Sequence, residues 1–339
     1  MFKRFQRGSL TVALTLVGAI AATGAVAQTV QIVPGLSVQT FPKVTGEVNL
    51  AHGFGLIYGA MPVARHMGVI EKVFPNAKVN WQNIFTTAQQ RDAMLAGRLH
   101  VGSCTPGPFL TSWDKGVDML WLQTTGGFDA YLMVRADGPK AITDFIGTQM
   151  KMSPGPNTAQ YFTVQEALRK AGKDVKSLDR NWANLPHPDA VQALIGKQLD
   201  GHFATADFAL RLEEMGMKKI ASAKEVWGSL YGVGACSLAK IAKENPDLVK
   251  GYAEALKKTV EWMNANPEKA AEVMSKSVDN KVPPAEFVKY LKSKMFQSYT
   301  ADADLKTQAQ AMQAFDAITK LPKDAKDFYA YPGEAGAKW

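Results

Sequence analysis

Short apolar segments typical of strands alternate with helical segments through most of this chain. Residues 48–52 have the pattern of a strand, residues 87–95 form a predicted helix that ends before Gly97, and residues 99–103 return to a strand. Strands that alternate with helices favour a largely parallel sheet covered by helices. The sequence therefore predicts the α/β class.

The same alternation begins again after Arg135. Residues 150–153 and 199–204 have the pattern of strands, and helices are predicted over residues 157–170 and 189–195. At roughly 150 residues per domain, a chain of 339 residues is expected to form about two domains.

Two segments of the chain are similar to each other. Residues 93–102 and 192–201 both contain a helix end, a glycine, a basic residue and a leucine that enters a strand. Two interpretations stay open: any helix–glycine–strand unit has this pattern, or two similar α/β lobes each contain one copy. Residues 28–46 are predicted to be a loose lead-in, and the C-terminal part is predicted to be helical over residues 246–264, 267–275, 284–293 and 303–318.

The first 27 residues have the three parts of a secretory signal peptide. Three basic residues precede an uncharged apolar run over residues 8–31, and an Ala-x-Ala cleavage box ends at Ala27. The alternative is a membrane anchor, but the apolar core is shorter than the ~20 residues that a spanning helix needs. We therefore expect residues 1–27 to be cleaved and the mature protein to be periplasmic.

The formal net charge of +8 raises the question of nucleic-acid binding. Cleavage of the signal peptide removes three positive charges and no negative one, which lowers this charge to +5. The C-terminal lysines, such as Lys257 and Lys258, alternate with acids such as Glu254 and Glu261, as on a solvated helix face. We expect no nucleic-acid partner.

Residues with catalytic or metal-binding chemistry form no recognised motif. The sequence has no G-x-S-x-G, H-E-x-x-H or P-loop pattern, and its five histidines are not paired at metal-ligand spacing. Two cysteines exclude a disulfide-dense scaffold and any four-cysteine metal site. Cys104 and Cys236 are compatible with a disulfide or with two buried thiols. We expect no catalytic residue, no metal ion and no cofactor.

Three loops that follow predicted strands carry groups suited to binding an anion: residues 86–90, 102–108 and 153–158. Thr87 and Asn157 are each expected to cap the following helix, because a glutamine stands three residues later. A helix N-terminus presents free N–H groups and a positive dipole end, and open α/β sheets bind ligands at the carboxyl ends of their strands. The predicted donors to an anionic group are Thr86, Thr87, Ser103, Thr105, Asn157 and Thr158.

Aromatic and acidic residues lie near the same loops. Asp129 or Asp207 is expected to meet an amine or hydroxyl group of the ligand. Aromatic side chains are more often part of a core, but several of them at strand ends suit the organic part of a ligand. The predicted wall residues are Phe54, Tyr58, Phe128 and Trp227.

Four segments of the chain resemble motifs of one family. They are residues 64–72 (ARHMGVIEK, similar to A-x-x-x-G-x-[FI]-E-K), residues 93–97 with Val101-Gly102, residues 189–194 with Gly196 and residues 199–201, and residues 266–270 (NPEKA). With these motifs in this order, the chain resembles the periplasmic substrate-binding proteins of the taurine, alkanesulfonate and nitrate ABC importers, a family that includes thiamine-precursor binders. The resemblance covers residues 47–320.

The resemblance implies a two-lobed, type II periplasmic-binding-protein fold with two crossover strands. The first lobe would comprise residues 45–131 and 233–339, and the second lobe residues 132–232. In that fold Cys104 and Cys236 would be near neighbours if the returning strand pairs beside the strand before Cys104.

The residues and the resemblance together predict a soluble, monomeric periplasmic protein. It would bind a small organic anion between its lobes and deliver it to an ABC permease, without catalysing a reaction. Taurine or another sulfonate is the first expectation for the ligand, and an aromatic carboxylate is the competing one. The alternatives from other classes are an exported enzyme of the same fold and a ligand-sensing receptor subunit.

Overall fold

The computed structural model describes residues 26–53, 55–82, 84, 86–293, 295–300 and 302–333. Nearly all of the predicted signal peptide lies outside these described residues, and so does Phe54. Within the described ranges, no helix combines the length and the apolar character that crossing a bilayer requires.

The described residues form a mixture of strands and helices, which confirms the α/β class. The strands are β1 Thr29–Val33, β2 Leu36–Gln39, β3 Thr45–Ala51, β4 Asn76–Gln82, β5 Gly102–Cys104, β6 Met119–Phe128, β7 Ala130–Val134, β8 Met152–Ser153, β9 Gly201–Thr205, β10 Lys218–Ser222, β11 Tyr231–Leu238 and β12 Phe296–Gln297. The helices are α1 Ala60–His66, α2 Val69–Val73, α3 Thr87–Leu95, α4 Pro106–Asp114, α5 Ala159–Lys170, α6 His187–Ile195, α7 Ala206–Glu214, α8 Ala223–Trp227, α9 Ala239–Glu244, α10 Pro246–Ala265, α11 Pro267–Ser277, α12 Pro284–Lys292 and α13 Leu305–Ala314.

The strands from β3 onward belong to two lobes. In the first lobe, one sheet has the order β12-β6-β11-β5, and the parallel pair β3–β4 joins β5 through a parallel bridge between Leu50 and Val101. In the second lobe, the sheet has the order β10-β7-β9-β8. The chain leaves the first lobe between Phe128 and Ala130 and returns at Tyr231. The second lobe is therefore an insertion into the first.

The prediction of a largely parallel sheet is wrong for both lobes. β3 with β4 and β8 with β9 run parallel, whereas β11 is antiparallel to β5 and β6, and β7 is antiparallel to β9 and β10. Neighbouring parallel strands need a crossover connection inside one sheet. β7 and β11 instead enter their sheets from the other lobe, and each enters in the opposite direction to its neighbours.

The prediction of a loose lead-in over residues 28–46 is also wrong. β1 and β2 form an antiparallel hairpin, and Gly35 has a φ of 84°, which the tight turn requires. Leu36 and Val38 are buried while the residues between and after them are exposed, so β2 has the alternation of a half-buried strand. This hairpin packs on α2 and α10 of the first lobe.

The C-terminal helices begin where the prolines predict. Pro246, Pro267 and Pro284 occupy the first positions of α10, α11 and α12, where a missing N–H leaves no hydrogen bond unmade. α10 packs against β2, β6 and α1, and it buries Tyr252 and Leu256 completely. These helices form much of the first lobe's core.

Cys104 and Cys236 form a disulfide, with 5.9 Å between their Cα atoms. The antiparallel register of β5 and β11 pairs Cys104 with Gly234 and Cys236 with Gly102, so the two cysteines are diagonal neighbours. Both are fully buried. The disulfide, rather than two buried thiols, is thus the alternative that the structure contains, and it attaches the returning strand β11 to the first lobe.

Candidate ligand-binding site

A cavity of about 620 Å³ lies between the two lobes. Its first-lobe wall consists of the loop after β3 together with α1, α11 and α12, and its second-lobe wall consists of α7. Two strands end at this cavity, because His52 directly follows β3 and Asp207 lies just after β9. A volume of this size suits a small organic molecule. The lining residues with polar or charged groups include His52, Arg65, Asp207, Arg211, Lys289 and Tyr290.

His52 presents a buried acceptor atom at the cavity wall. Its Nδ1 lies 3.0 Å from the carbonyl oxygen of Gly53, so Nδ1 carries the proton and donates it. Burial, together with the nearby charge of Arg65, lowers the pKa of His52, and the ring is neutral at pH 7. In this neutral ring Nε2 is an acceptor, and among the described residues it has no hydrogen-bond partner.

Tyr290 and Asp207 meet at the cavity from opposite lobes. Tyr290 in α12 is 1% exposed, and its hydroxyl has no hydrogen-bond partner among the described residues. Burial and the charge of Asp207 raise the pKa of Tyr290, so the hydroxyl keeps its proton. Asp207 accepts a hydrogen bond of 2.7 Å from the hydroxyl of Thr205, and burial raises the pKa of this carboxyl.

Arg65 brings a positive charge to the cavity from α1. Its guanidinium lies 5.6 Å from the centre of the Trp81 ring, and it is half-buried. Among the described residues, no carboxylate lies within ion-pair distance of this guanidinium, whereas Lys289 in α12 pairs with Glu214 in α7 across the lobes. A guanidinium without a carboxylate partner is a strong attractor for a planar or tetrahedral anion.

A buried hydrogen-bond network lies directly behind the loop after β3. The Ser103 hydroxyl accepts hydrogen bonds from the Gly53 N–H at 2.8 Å and from Gln90 Nε2 at 3.2 Å. Tyr58 also hydrogen-bonds to Ser103, and burial raises the pKa of Tyr58 to about 12. The Thr87 hydroxyl donates to the carbonyl oxygen of Ser103 at 3.5 Å. Tyr58, Thr87 and Ser103 therefore support the cavity wall from behind.

The helix caps lie one residue away from the predicted ones. Thr86 caps α3 in place of Thr87, and Thr158 caps α5 in place of Asn157; each hydroxyl accepts at 3.2 Å from the backbone N–H three residues later. Asn157 is exposed and has a φ of 59°. A cap needs the extended backbone that the two threonines have, whereas the left-handed backbone of Asn157 belongs to the turn before α5.

Two further predicted residues have structural partners away from the cavity. Asp129 accepts hydrogen bonds from the Ser222 hydroxyl and from the Lys224 N–H at 2.9 Å, so it holds the start of α8. Burial raises the pKa of Asp129. The indole nitrogen of Trp227 donates to the Thr163 hydroxyl at 2.9 Å.

The last two predicted site residues, Phe128 and Thr105, lie where the lobes touch. Phe128 is buried, with its ring centre 5.8 Å from that of Tyr231. Thr105 precedes α4 without capping it, and the N–H of Gly107 donates to the Tyr231 hydroxyl at 2.7 Å. A Cβ atom on Gly107 would lie 2.3 Å from the Phe162 ring, so α4 of the first lobe and α5 of the second are in direct contact.

The second lobe also contains a pair of buried histidines. His187 Nδ1 lies 3.0 Å from His202 Nε2, and His202 Nδ1 lies 2.7 Å from the Ser153 hydroxyl. Burial lowers the pKa of His187 to about 4, and burial together with His187 lowers the pKa of His202 well below its usual value. In the part of the chain that the structure describes, no group of three or more His, Cys, Asp or Glu residues is arranged to hold a metal ion.

This pair predicts a loss of stability in mild acid. His187 stays neutral in the folded protein as pH falls from 7 to 4, but the unfolded chain takes up a proton near pH 6.5. The free energy of unfolding therefore decreases over this range, by about 2–3 kcal/mol for His187 alone. Urea unfolding at pH 7 and pH 4.5 measures it. His187→Phe should flatten the dependence and the exposed control His66→Gln should not; equal dependence in both variants would contradict the prediction.

Several solved structures with this fold are periplasmic binding proteins. The aliphatic sulphonate-binding protein SsuA from Escherichia coli is 16% identical, with 84% of this chain and 92% of that chain covered and a TM-score of 0.64. The alkanesulfonate-binding protein SsuA from Xanthomonas axonopodis pv. citri, bound to MOPS, is 17% identical, with 82% of this chain and 94% of that chain covered and a TM-score of 0.67. The nitrate-binding protein NrtA from Synechocystis PCC 6803 is 14% identical, with 84% of each chain covered and a TM-score of 0.63. The chain thus has the two-lobed periplasmic-binding-protein fold, as predicted.

A match to a protein-family model shows which family of this fold the chain belongs to. The model described as "NMT1/THI5 like" matches residues 78–270, which is more than half of the chain. The chain belongs to this family. A comparison with curated protein sequences gives no match.

Three polar residues of the cavity were not predicted from the sequence: His52, Arg65 and Tyr290. The position of His52 could have indicated it, because His52 lies at the end of a predicted strand, as do the three loops that were predicted to bind the anion. Arg65 lies in one of the family-like segments and belongs to α1. Tyr290 had no local signal, because its place depends on how α12 packs against α11 and β12.

Proposed function

We propose that this protein is the solute-binding component of an ABC importer and holds a small organic anion in the cavity between its lobes. The observation that carries the proposal is the cavity itself: both lobes line it, and Arg65 reaches it without a carboxylate partner among the described residues. The family and the fold support a transport role, since the sulfonate-binding and nitrate-binding neighbours are periplasmic proteins.

The proposed mechanism is binding without chemistry. Closure of the lobes removes water from around the anion, which strengthens its attraction to the Arg65 guanidinium. Lys289 and Glu214 then pair across the closed cavity mouth. Because both side chains of this ion pair are exposed to solvent, the pair contributes little to the free energy of closure. The bound ligand therefore supplies most of the free energy that favours closure.

The remaining expectations extend this proposal. The protein would be a periplasmic monomer that meets a permease at the inner membrane, with the first lobe at residues 45–131 and 233–339 and the second at residues 132–232. Roles in ligand binding for the other predicted residues stay part of the prediction: Phe54, Tyr58, Thr86, Thr87, Ser103, Thr105, Phe128, Asp129, Asn157, Thr158 and Trp227. The sulfonate-binding neighbours favour a sulfonate over a carboxylate as the first ligand to test.

A thermal-shift screen of the mature protein tests the proposal. Sulfonates, nitrate, aliphatic carboxylates and aromatic carboxylates are the ligands to compare. A ligand at 100 times its Kd adds about 2.7 kcal/mol to the free energy of unfolding, which is a clear shift of the midpoint. If no anion shifts the midpoint while a neutral or cationic compound does, the proposal fails.

Replacing Arg65 tests the anion site directly. In Arg65→Gln the best anion should bind about tenfold or more weakly, because a hydrogen bond to a charged group contributes about 1.5–3 kcal/mol. Titration calorimetry measures the Kd. Arg98→Gln is the matched control, since Arg98 is exposed and does not line the cavity. An equal Kd in the two variants would show that Arg65 does not bind the anion.

A further inference from the structure

We propose that the ligand carries a hydrogen-bond donor, such as an ammonium or hydroxyl group, in addition to its anionic group, and that His52, Asp207 and Tyr290 select for it. This inference rests on the proposed function, because it assumes an anion in the same cavity. It narrows the ligand from any small anion to one with two different polar ends.

The first step is the protonation state of His52. Its Nδ1 proton is used by the Gly53 carbonyl oxygen at 3.0 Å, and the buried ring is neutral. Nε2 therefore has a lone pair and no proton, and no described residue donates to it. An anionic oxygen placed at Nε2 would meet a lone pair, whereas an N–H or O–H group of the ligand would satisfy it.

The second step is the pair Asp207 and Tyr290. Asp207 is an acceptor that uses one oxygen for the Thr205 hydroxyl, and it lines the cavity near the buried hydroxyl of Tyr290. A ligand hydroxyl group can donate to the carboxylate and accept from the phenol, whereas a ligand ammonium group can donate to the carboxylate and to the phenol oxygen. A second anionic group at this end would be repelled by Asp207.

The third step is the separation of opposite charges in the cavity. Arg65 belongs to α1 of the first lobe, and Asp207 belongs to α7 of the second lobe. A ligand with an anionic end and a donor end satisfies both walls at once and links the lobes through their oppositely charged side chains. A simple anion would leave the buried Nε2 of His52 without a donor, which costs affinity.

Matched pairs of ligands test the inference on the wild-type protein. The pairs are taurine with ethanesulfonate, 3-aminopropanoate with propanoate, and 4-hydroxybenzoate with benzoate; each differs in one donor group. Calorimetry should show that the donor-bearing member of the tightest pair binds at least tenfold more tightly. Equal affinities within every pair that binds would overturn the inference and leave the proposed function standing. Failure of all six compounds, and of every anion in the thermal-shift screen, to bind would overturn both.

Two tyrosine variants assign the selection to the cavity. Tyr290→Phe removes a hydroxyl that has no partner among the described residues, so the variant should fold, and the affinity ratio within the tightest pair should fall severalfold. Tyr252→Phe is the matched control: its buried hydroxyl also lacks a described partner, but Tyr252 does not line the cavity. His52→Phe should likewise lower the ratio. If Tyr290→Phe and His52→Phe both keep the wild-type affinity ratio within the tightest pair, residues other than Tyr290 and His52 select for the donor group.

Discussion

Replacing Cys104 and Cys236 together by serine is expected to lower the free energy of unfolding by about 4 kcal/mol. The disulfide joins residues 132 positions apart, and a closed loop of that length removes much conformational freedom from the unfolded chain. Both sulfurs are buried between β5 and β11, so the serines would also bring two hydroxyl groups into an apolar core. Urea unfolding monitored by circular dichroism measures the loss.

Reduced wild-type protein is the control for this variant. It should lose stability in the same direction, while the oxidised wild type should react with a thiol reagent only after it is unfolded and reduced. A double variant that unfolds at the wild-type urea concentration would show that the cross-link contributes nothing to stability.

Gly107→Ala is expected to weaken ligand binding about 30-fold with a smaller effect on folding. The added Cβ would lie 2.3 Å from the Phe162 ring and 2.8 Å from the Tyr231 hydroxyl, so α4 and α5 cannot keep their present contact. Overpacking of this kind costs about 2 kcal/mol. Opening of the lobes would move Phe162 of the second lobe away from Gly107, so the cost of this clash falls on closure and appears in the Kd. Titration calorimetry with the best anion measures it.

Gly333→Ala is the matched control for the closure variant. A Cβ at Gly333 has no heavy atom within 4 Å, so its Kd should equal that of the wild type. If Gly107→Ala binds the anion as tightly as Gly333→Ala does, then α4 and α5 need not touch in the liganded protein. If Gly107→Ala instead loses stability and affinity together, the clash acts on folding and the closure interpretation is wrong.

Much of the fold follows from local patterns in the sequence. α3 lies at residues 87–95 as predicted, because the helix has a hydroxyl cap and a glycine after its end. Pro246, Pro267 and Pro284 mark three helix starts for the same kind of local reason. The direction of β7 and β11 could not be predicted locally, because it depends on which lobe each strand comes from.

The site was predictable only in part. Asp207 lines the cavity and was predicted from its place near a strand end. Ser103 and Thr87 were predicted to donate to the anion, and their hydroxyl groups hydrogen-bond to backbone groups. A hydroxyl group at a strand end serves the protein's own backbone as readily as a ligand. Tyr290 lies far along the chain from His52, Arg65 and Asp207, and the packing of α12 against α11 and β12 brings it to the same cavity.

The disulfide also changes the connectivity of the molecule. Cys104 precedes the departure of the chain into the second lobe, and Cys236 follows its return, so the whole inserted lobe lies within one covalent ring. A single break in the backbone of that lobe opens the ring but leaves one molecule, because the two pieces stay joined through sulfur. A proteolytic cut in the inserted lobe would thus leave both parts of the protein covalently joined.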